Sequence, residues 1–168
     1  MLFRMVEKKF VVDGVKLSYS GPFDILEFYK KVEDWISSKG KEKEIKKKVE
    51  HVSAKGKKIE WFVEIWEDVA DYAKTIVRVQ AVFTDVKEIK KDKKAKKLNQ
   101  GNVVITFDGI LETDMEGKWQ QKPVFFFLRA LADKFIYKFH MNKIEDKLAA
   151  DTYELHDRLV EFFDSYKI

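Results

Sequence analysis

The stretch that decides the fold is Lys122–Tyr166, which reads KPVFFFLRALADKFIYKFHMNKIEDKLAADTYELHDRLVEFFDSY. Its apolar residues recur every three or four positions, a spacing that predicts helices with one apolar face. His140, Met141 and Asn142 interrupt the spacing, so two helices with a break between them are predicted. The positions that form the two stripes are Val124, Phe127, Leu128, Leu131, Phe135 and Phe139 before the break, and Ile144, Leu148, Thr152, Leu155, Leu159, Phe162, Phe163 and Tyr166 after it. Helices this apolar need another layer to cover them.

The N-terminal part of the chain predicts a hairpin and then a helix. In Met5–Tyr19, apolar residues lie on both sides of Asp13-Gly14, a dipeptide typical of two-residue hairpin turns. Pro22 suits the start of a helix, and Gly40 suits its end. The residues predicted to form the apolar face of this helix are Ile25, Phe28, Tyr29, Val32, Trp35 and Ile36.

Between residues 44 and 113 the apolar period changes to two, which predicts four antiparallel strands. Lysines interrupt the first of them, Glu44–Ala54, and lysines are typical of an edge strand that must not pair with its neighbours. Gly109 lies inside the last strand, where a glycine marks a bulge or a bend. We therefore expect a strongly curved sheet.

This order of elements predicts an α+β fold, with a curved antiparallel sheet wrapped around a long C-terminal helical region. Over roughly residues 6–166 it resembles the START-like and Bet v1-like (SRPBCC) helix-grip superfamily. The resemblance implies one domain over residues 1–168 and a cavity between the concave sheet and the C-terminal helix that accepts an apolar small molecule. It supplies no catalytic residue, because the superfamily has no shared catalytic motif. The predicted break near His140 departs from the single C-terminal helix that is usual there.

Composition excludes several kinds of site. The chain has 168 residues and no cysteine, which removes disulfides, thiolate metal ligands and nucleophilic thiols. Of its 33 basic residues only four are arginine, and enrichment in lysine and glutamate is typical of proteins from hot environments. The apolar run Val124–Leu128 is far shorter than a spanning helix needs, and a soluble, cytoplasmic protein is expected.

The leading functional hypothesis is non-catalytic binding of an apolar or amphipathic, lipid-like molecule. Alternation and helical spacing direct one set of side chains towards the predicted cavity. These candidate ligand-binding residues are Trp61, Val63, Val79, Phe107, Phe127, Leu131 and Phe135. The alternative is a protein-interaction or homodimer module that uses the exposed part of the phenylalanine-rich helix.

A third hypothesis is attachment to an anionic surface, either lipid headgroups or nucleic acid. Residues 39–58 carry nine lysines against three glutamates, and residues 87–97 carry seven lysines against two acids. Alternate turns of a meander lie at the same end of the sheet, so both lysine-rich turns are expected together. The candidate residues are Lys57, Lys58, Lys90, Lys91, Lys93, Lys94, Lys96 and Lys97. A solvated hairpin without this function has the same composition, because arginine and interleaved aromatics are missing from these turns.

Catalytic and metal sites have no positive support in the sequence. The three histidines, His51, His140 and His156, do not have metal-ligand spacing, and neither a metal nor a cofactor is expected. Two carboxylate pairs, Glu60 with Glu64 and Asp108 with Glu112, share strand faces and would be acid–base candidates if they were buried. Their positions favour the solvated outer face of the sheet.

Overall fold

The computed structural model describes the backbone of residues 6–90, 97–114 and 123–167, and their side chains except at positions 90, 97 and 123–137. The chain forms a five-stranded antiparallel sheet in the order β1-β5-β4-β3-β2, with two helices. The strands are β1 (Val6–Phe23), β2 (Glu42–Ser53), β3 (Gly56–Ala70), β4 (Ala73–Lys90) and β5 (Lys97–Asp114), and the helices are α1 (Ile25–Lys39) and α2 (Pro123–Asp164). The sheet is curved and unclosed, and α2 packs against it, so the predicted α+β class is confirmed.

Helix α1 ends at Gly40, as the sequence predicts, but it begins at Ile25 and not at Pro22, which belongs to β1. The Asp24 side chain accepts hydrogen bonds from the backbone N–H groups of Leu26 at 3.0 Å and Glu27 at 3.3 Å, which satisfies two donors of the first turn. Gly40 ends the helix in the left-handed region at φ 64°, where a side chain would be disfavoured. Four residues of the predicted apolar face are buried, namely Phe28, Val32, Trp35 and Ile36.

The predicted hairpin at Asp13-Gly14 is wrong, because β1 is one continuous strand. It pairs with β5 from Val6 to Phe23, and β1 carries extra residues around Val12, opposite Gly109. Gly14 adopts φ 69° in this irregular segment, and its N–H donates to the Asp108 carboxylate at 2.7 Å. The dipeptide therefore forms a bulge, since a long partner strand is available to continue the pairing.

The predicted break at His140–Asn142 is also wrong, since α2 is a single helix of 42 residues. At 1.5 Å per residue it is about 63 Å long. His140 and Asn142 are exposed while Met141 is buried, so the polar residues lie on the solvent side of an unbroken helix. Among the described side chains of the predicted stripe, Phe139 is 63% exposed and Leu148 is only 1% exposed, so the stripe changes from exposed to buried across this segment.

The second half of α2 lies on the concave face of the sheet. Phe163 is 1% exposed, and its ring stacks on Tyr19 with centroids 4.8 Å apart. The same ring is 6.0 Å from both Phe23 and Phe28, so it joins β1 and α1 to α2. Aromatic contacts of this kind stabilise a core beyond the area that they bury.

Gly109 allows α2 to approach β5 closely. A Cβ atom at this position would lie 2.7 Å from Thr152 Oγ1 and 3.4 Å from Leu148. The Thr152 hydroxyl is held in place, because it donates to the Leu148 carbonyl at 2.7 Å. The helix and the strand are therefore in contact with no room for a side chain between them.

We predict that Gly109→Ala lowers the free energy of unfolding by about 1–3 kcal/mol, because the added methyl overlaps Thr152. The cost should shrink in a Thr152→Ala background, where the overlapping oxygen is gone. Urea denaturation of the four proteins of this cycle measures the coupling. Asn102→Ala, an exposed change on the same strand, is the control; equal costs of Gly109→Ala in both backgrounds would contradict the proposed contact.

Candidate binding site

Four of the seven predicted ligand-binding residues lie together on the concave face. Val63 of β3 is opposite Val79 of β4, which is opposite Phe107 of β5, and Trp61 lies two residues before Val63. Their side chains are at most 4% exposed and belong to the main hydrophobic core. The other three, Phe127, Leu131 and Phe135, have side chains outside the described residues, and the predicted cavity between sheet and α2 stays a prediction.

The buried side chains of this row are in contact with the helices. The Trp61 ring meets Phe28 at 5.6 Å and Tyr29 at 5.2 Å, both in edge-to-face geometry. Phe107 meets the His156 ring of α2 at 5.3 Å. Because Tyr29 is only partly buried, it connects the Trp61 cluster to the surface of the molecule.

A groove opens at this point between α1 and the ends of β2, β3 and β4, and we call it the α1 groove. Its volume is about 650 Å³, within the roughly 300–1,000 Å³ of small-molecule sites. The apolar side chains that line it are Ile25, Leu26, Tyr29, Val49, Ile59 and Val86. Charged and polar side chains complete the lining, namely Asp24, Lys48, Glu50, Lys57, Glu88 and Asn99.

The charged side chains of the α1 groove contact each other and the Tyr29 ring. Lys57 Nζ lies 3.0 Å from Glu50 Oε1, and Lys48 Nζ lies 5.5 Å from the centre of the Tyr29 ring. Burial, and to a lesser extent the charge of Glu50, raises the pKa of Tyr29. The phenol is therefore neutral at physiological pH and has a proton to donate to a polar group in the groove.

A second polar feature lies at the opposite end of the molecule, where a buried lysine joins three elements. Lys41 follows α1, and its side chain is 3% exposed. Its Nζ is 2.9 Å from Glu67 of β3 and 3.1 Å from Asp151 of α2. We call these three residues the Lys41 cluster. A pocket of about 330 Å³ lies beside it, lined in part by Glu67, Asp151 and His140.

The Lys41 cluster continues along α2 as a chain of alternating charges. Lys39 lies 3.8 Å from Asp151 and 2.7 Å from Glu154. The hydrogen bond from Lys39 outweighs partial burial and lowers the pKa of Glu154. The Trp35 N–H is directed at Glu154 and contributes to lowering that pKa, but it lacks the geometry of a full hydrogen bond. These contacts fasten the end of α1 to α2.

Burial of Glu67 acts to raise its pKa, but the hydrogen bond and charge of Lys41, helped by the charge of Lys147, outweigh it and lower the pKa. The carboxylate is thus ionised at neutral pH and serves as the counterion of a buried ammonium group. Breaking a buried pair on one side leaves uncompensated charge behind, which costs far more than losing an exposed pair.

The carboxylate pairs predicted on the outer face have different environments. Glu60 contacts Lys47 at 2.6 Å, and the hydrogen bond from Lys47, above the small effect of burial, lowers its pKa. Glu64 accepts from Arg78 at 3.2 Å. The lowered pKa of Glu60 is the opposite of what a general acid needs. Asp108 is 7% exposed, unlike the solvated position predicted for it, because its carboxylate accepts the Gly14 N–H inside the β1 bulge.

The lysine-rich turns lie at the same end of the sheet, since Lys57 pairs with Val86 near the end of β4. Lys57 and Lys58 have carboxylate partners, Glu50 at 3.0 Å and Glu60 at 3.7 Å. Lys90, the last residue of β4, pairs with Lys97, the first residue of β5, and both side chains lie outside the described residues. The remaining predicted positions, Lys91, Lys93, Lys94 and Lys96, lie outside the described residues, so anionic-surface binding through them stays a prediction.

Comparison with known proteins and a search for other site types give no identity. No protein-family model matches the chain, and no curated protein matches it. Within residues 6–90, 97–114 and 123–167, there is no group of three or more histidine or acidic side chains placed to hold a metal ion. Neither described helix combines the length and the apolar character needed to cross a membrane.

Sequence reasoning missed the Lys41 cluster and the α1 groove. Lys41 and Glu67 are 26 positions apart in the chain, and Asp151 is a single polar residue in a helical stripe. The only available signal was Asp151 itself, which adjoins Thr152 on the predicted apolar face. The groove depends on how α1 lies across β2 and β3, which no local pattern specifies.

We predict that Lys41→Met lowers the free energy of unfolding at pH 7 by about 3 kcal/mol, because buried Asp151 and partly buried Glu67 lose their nearest cation. Lys46→Met is the matched control, since Lys46 is 45% exposed and pairs at the surface. It should change stability by less than about 1 kcal/mol. Urea denaturation measures both, and equal effects would contradict a special role for Lys41.

The contribution of Glu67 to the pH dependence of the unfolding free energy should differ between Lys41→Met and the natural chain. With its pKa lowered, Glu67 contributes stability above its ordinary pKa of about 4.3, and this contribution is lost as pH falls through the folded-state value. In Lys41→Met only the charge of Lys147 still opposes burial, so the pKa of Glu67 is higher than in the natural protein and acidification costs less stability. The difference in unfolding free energy between the two proteins should therefore narrow from pH 7 to pH 4. A constant difference would show that Glu67 does not sense Lys41.

Proposed function

We propose that the protein binds an amphipathic small molecule in the α1 groove, without catalysing a reaction on it. The observation that carries the proposal is the groove itself: an apolar lining of suitable volume, with charged groups and a neutral phenol along it. Apolar clefts with a few placed polar groups are the usual form of small-molecule sites. The lowered pKa of Glu60 gives no support to general-acid chemistry at this residue.

The chemistry of the groove defines the class of ligand. An apolar portion would lie against Ile25, which is half-buried, and Leu26, which is 73% exposed. A polar head would meet the Tyr29 hydroxyl together with Lys48 or Glu50. Because lysines and carboxylates are both present, the head group is best described as a hydrogen-bonding or zwitterionic group and not as a simple anion.

A series of aromatic contacts connects the α1 groove to the hydrophobic core. Tyr29 lines the groove and touches Trp61, and Trp61 touches Phe28. Phe28 in turn lies 6.0 Å from Phe163 of α2. An occupant of the groove therefore contacts the same aromatic cluster that holds α2 on the sheet, and binding should raise the unfolding temperature.

We predict that 1-anilinonaphthalene-8-sulfonate, an amphipathic fluorescent probe, binds with increased emission and that Tyr29→Ala weakens this binding by about tenfold. The matched control is Tyr153→Ala on α2, where the ring is 46% exposed and outside the groove. Competition by four ten-carbon molecules, namely decanol, decylamine, decanoate and a zwitterionic one, then identifies the preferred head group.

The competition also separates the proposed site from non-specific adsorption. Displacement of the probe by decanol or by a zwitterionic ten-carbon molecule in the natural protein, lost in Tyr29→Ala and kept in Tyr153→Ala, supports the α1 groove. Equal weakening in both variants, or no displacement by any of the competitors, would show that the groove is not a ligand site.

A further inference from the structure

Strand β2 has an open edge. Within the described ranges it pairs with β3 alone, and all of its residues except Val49 are exposed. In an antiparallel ladder every second residue directs its N–H and C=O groups away from its partner. The outer side of β2 therefore presents a row of backbone donors and acceptors, which is the template that an additional strand pairs with.

Helix α1 runs beside this edge and provides apolar contacts on one face of it. Glu33 of α1 forms an ion pair with Lys43 of β2, and the Tyr29 ring lies below Lys48. Leu26 is 73% exposed on the first turn of α1, and Val52 is 76% exposed near the end of β2. A strand added outside β2 would place every second side chain on this face, where Leu26 and Val52 can be covered.

The other side chains of an added strand would meet positive charge. Residues 46–58 carry six lysines and one glutamate. On the convex face a single carboxylate, Glu60, is shared by Lys47 at 2.6 Å and Lys58 at 3.7 Å. Lys46 and Lys57 also have carboxylate partners, namely Glu44, Glu64 and Glu50, so the six lysines meet four carboxylates in all. The edge keeps a small excess of ammonium groups, and acidic side chains are the complement to it.

The same charges argue against pairing between two copies of the chain. Two β2 strands side by side would bring lysines next to lysines, and like charges on neighbouring strands are destabilising. Lysines on an edge thus exclude self-association while they leave the edge open to a strand of opposite charge.

We propose that β2 is a docking edge for an extended segment of another protein in which acidic and apolar residues alternate. The segment would add a sixth strand through backbone hydrogen bonds, with its apolar side chains towards Leu26 and Val52 and its carboxylates towards Lys47 and Lys58. The backbone pairing uses the outer side of β2, whereas Leu26 is shared with the lining of the α1 groove.

The test is fluorescence polarisation with a labelled peptide of alternating glutamate and valine, about ten residues long to match a strand. Changing Lys47 and Lys58 together to glutamine, two positions outside the lining of the α1 groove, should weaken binding about tenfold or more. Changing Lys8 and Lys16 to glutamine is the matched control, because both are exposed on β1 at the opposite edge, and it should leave binding unchanged.

Hydrogen exchange distinguishes strand addition from plain charge attraction. Bound peptide should slow exchange at every second amide of residues 47–53, and a peptide with proline in place of valine should not bind. The proposal is overturned if the peptide does not bind at low salt or if the proline peptide binds equally well. It is also overturned if the β2 amides are unaffected, or if an oligonucleotide of equal charge binds as tightly. None of these outcomes depends on whether the α1 groove holds a ligand.

Discussion

The contact between α2 and β5 at Gly109 is the constraint on which the rest of the structure depends. Thr152 lies where a side chain on Gly109 would be, and Leu148 is packed beside it. The helix is thereby held close to the sheet. About three turns further along α2, Phe163 reaches Tyr19, Phe23 and Phe28. The aromatic cluster, and through it the position of α1, follows from that approach.

Helix α1 is held at its two ends by different kinds of interaction. Its first half contacts the core through aromatic rings, and its C-terminal end is fastened by the Lys41 cluster. Aromatic contacts tolerate small displacements, whereas a buried ion pair loses most of its energy when its geometry changes. The α1 groove lies at the aromatic end, where adjustment to a ligand costs least.

The two edge strands of the sheet differ in backbone regularity and in charge, and this difference underlies the role proposed for β2. Edge strand β1 is irregular, with extra residues around Val12 and a glycine at φ 69°, which makes a poor template for another strand. Edge strand β2 is regular from Lys47 to Ser53 and is defended by lysine charge alone. Lysine charge on β2 disfavours basic strands and favours acidic ones, whereas the irregular backbone of β1 disfavours pairing with any strand.

The sequence by itself determined the α+β class, the C-terminal end of α1, the edge position of β2 and the apolar stripe of α2 after Asn142, because each depends on a local period or a capping residue. Predictions failed at Asp13-Gly14 and at His140–Asn142, where a locally favoured turn or break was overridden by a long partner strand and by continuous packing. Among the residues predicted to line a cavity, alternation placed Trp61, Val63, Val79 and Phe107 on the buried inner face of the sheet, where the structure has them. Only the tertiary structure decided the α1 groove and the Lys41 cluster, because both are made of residues that are distant in the chain and meet only when α1 and α2 settle on a curved sheet.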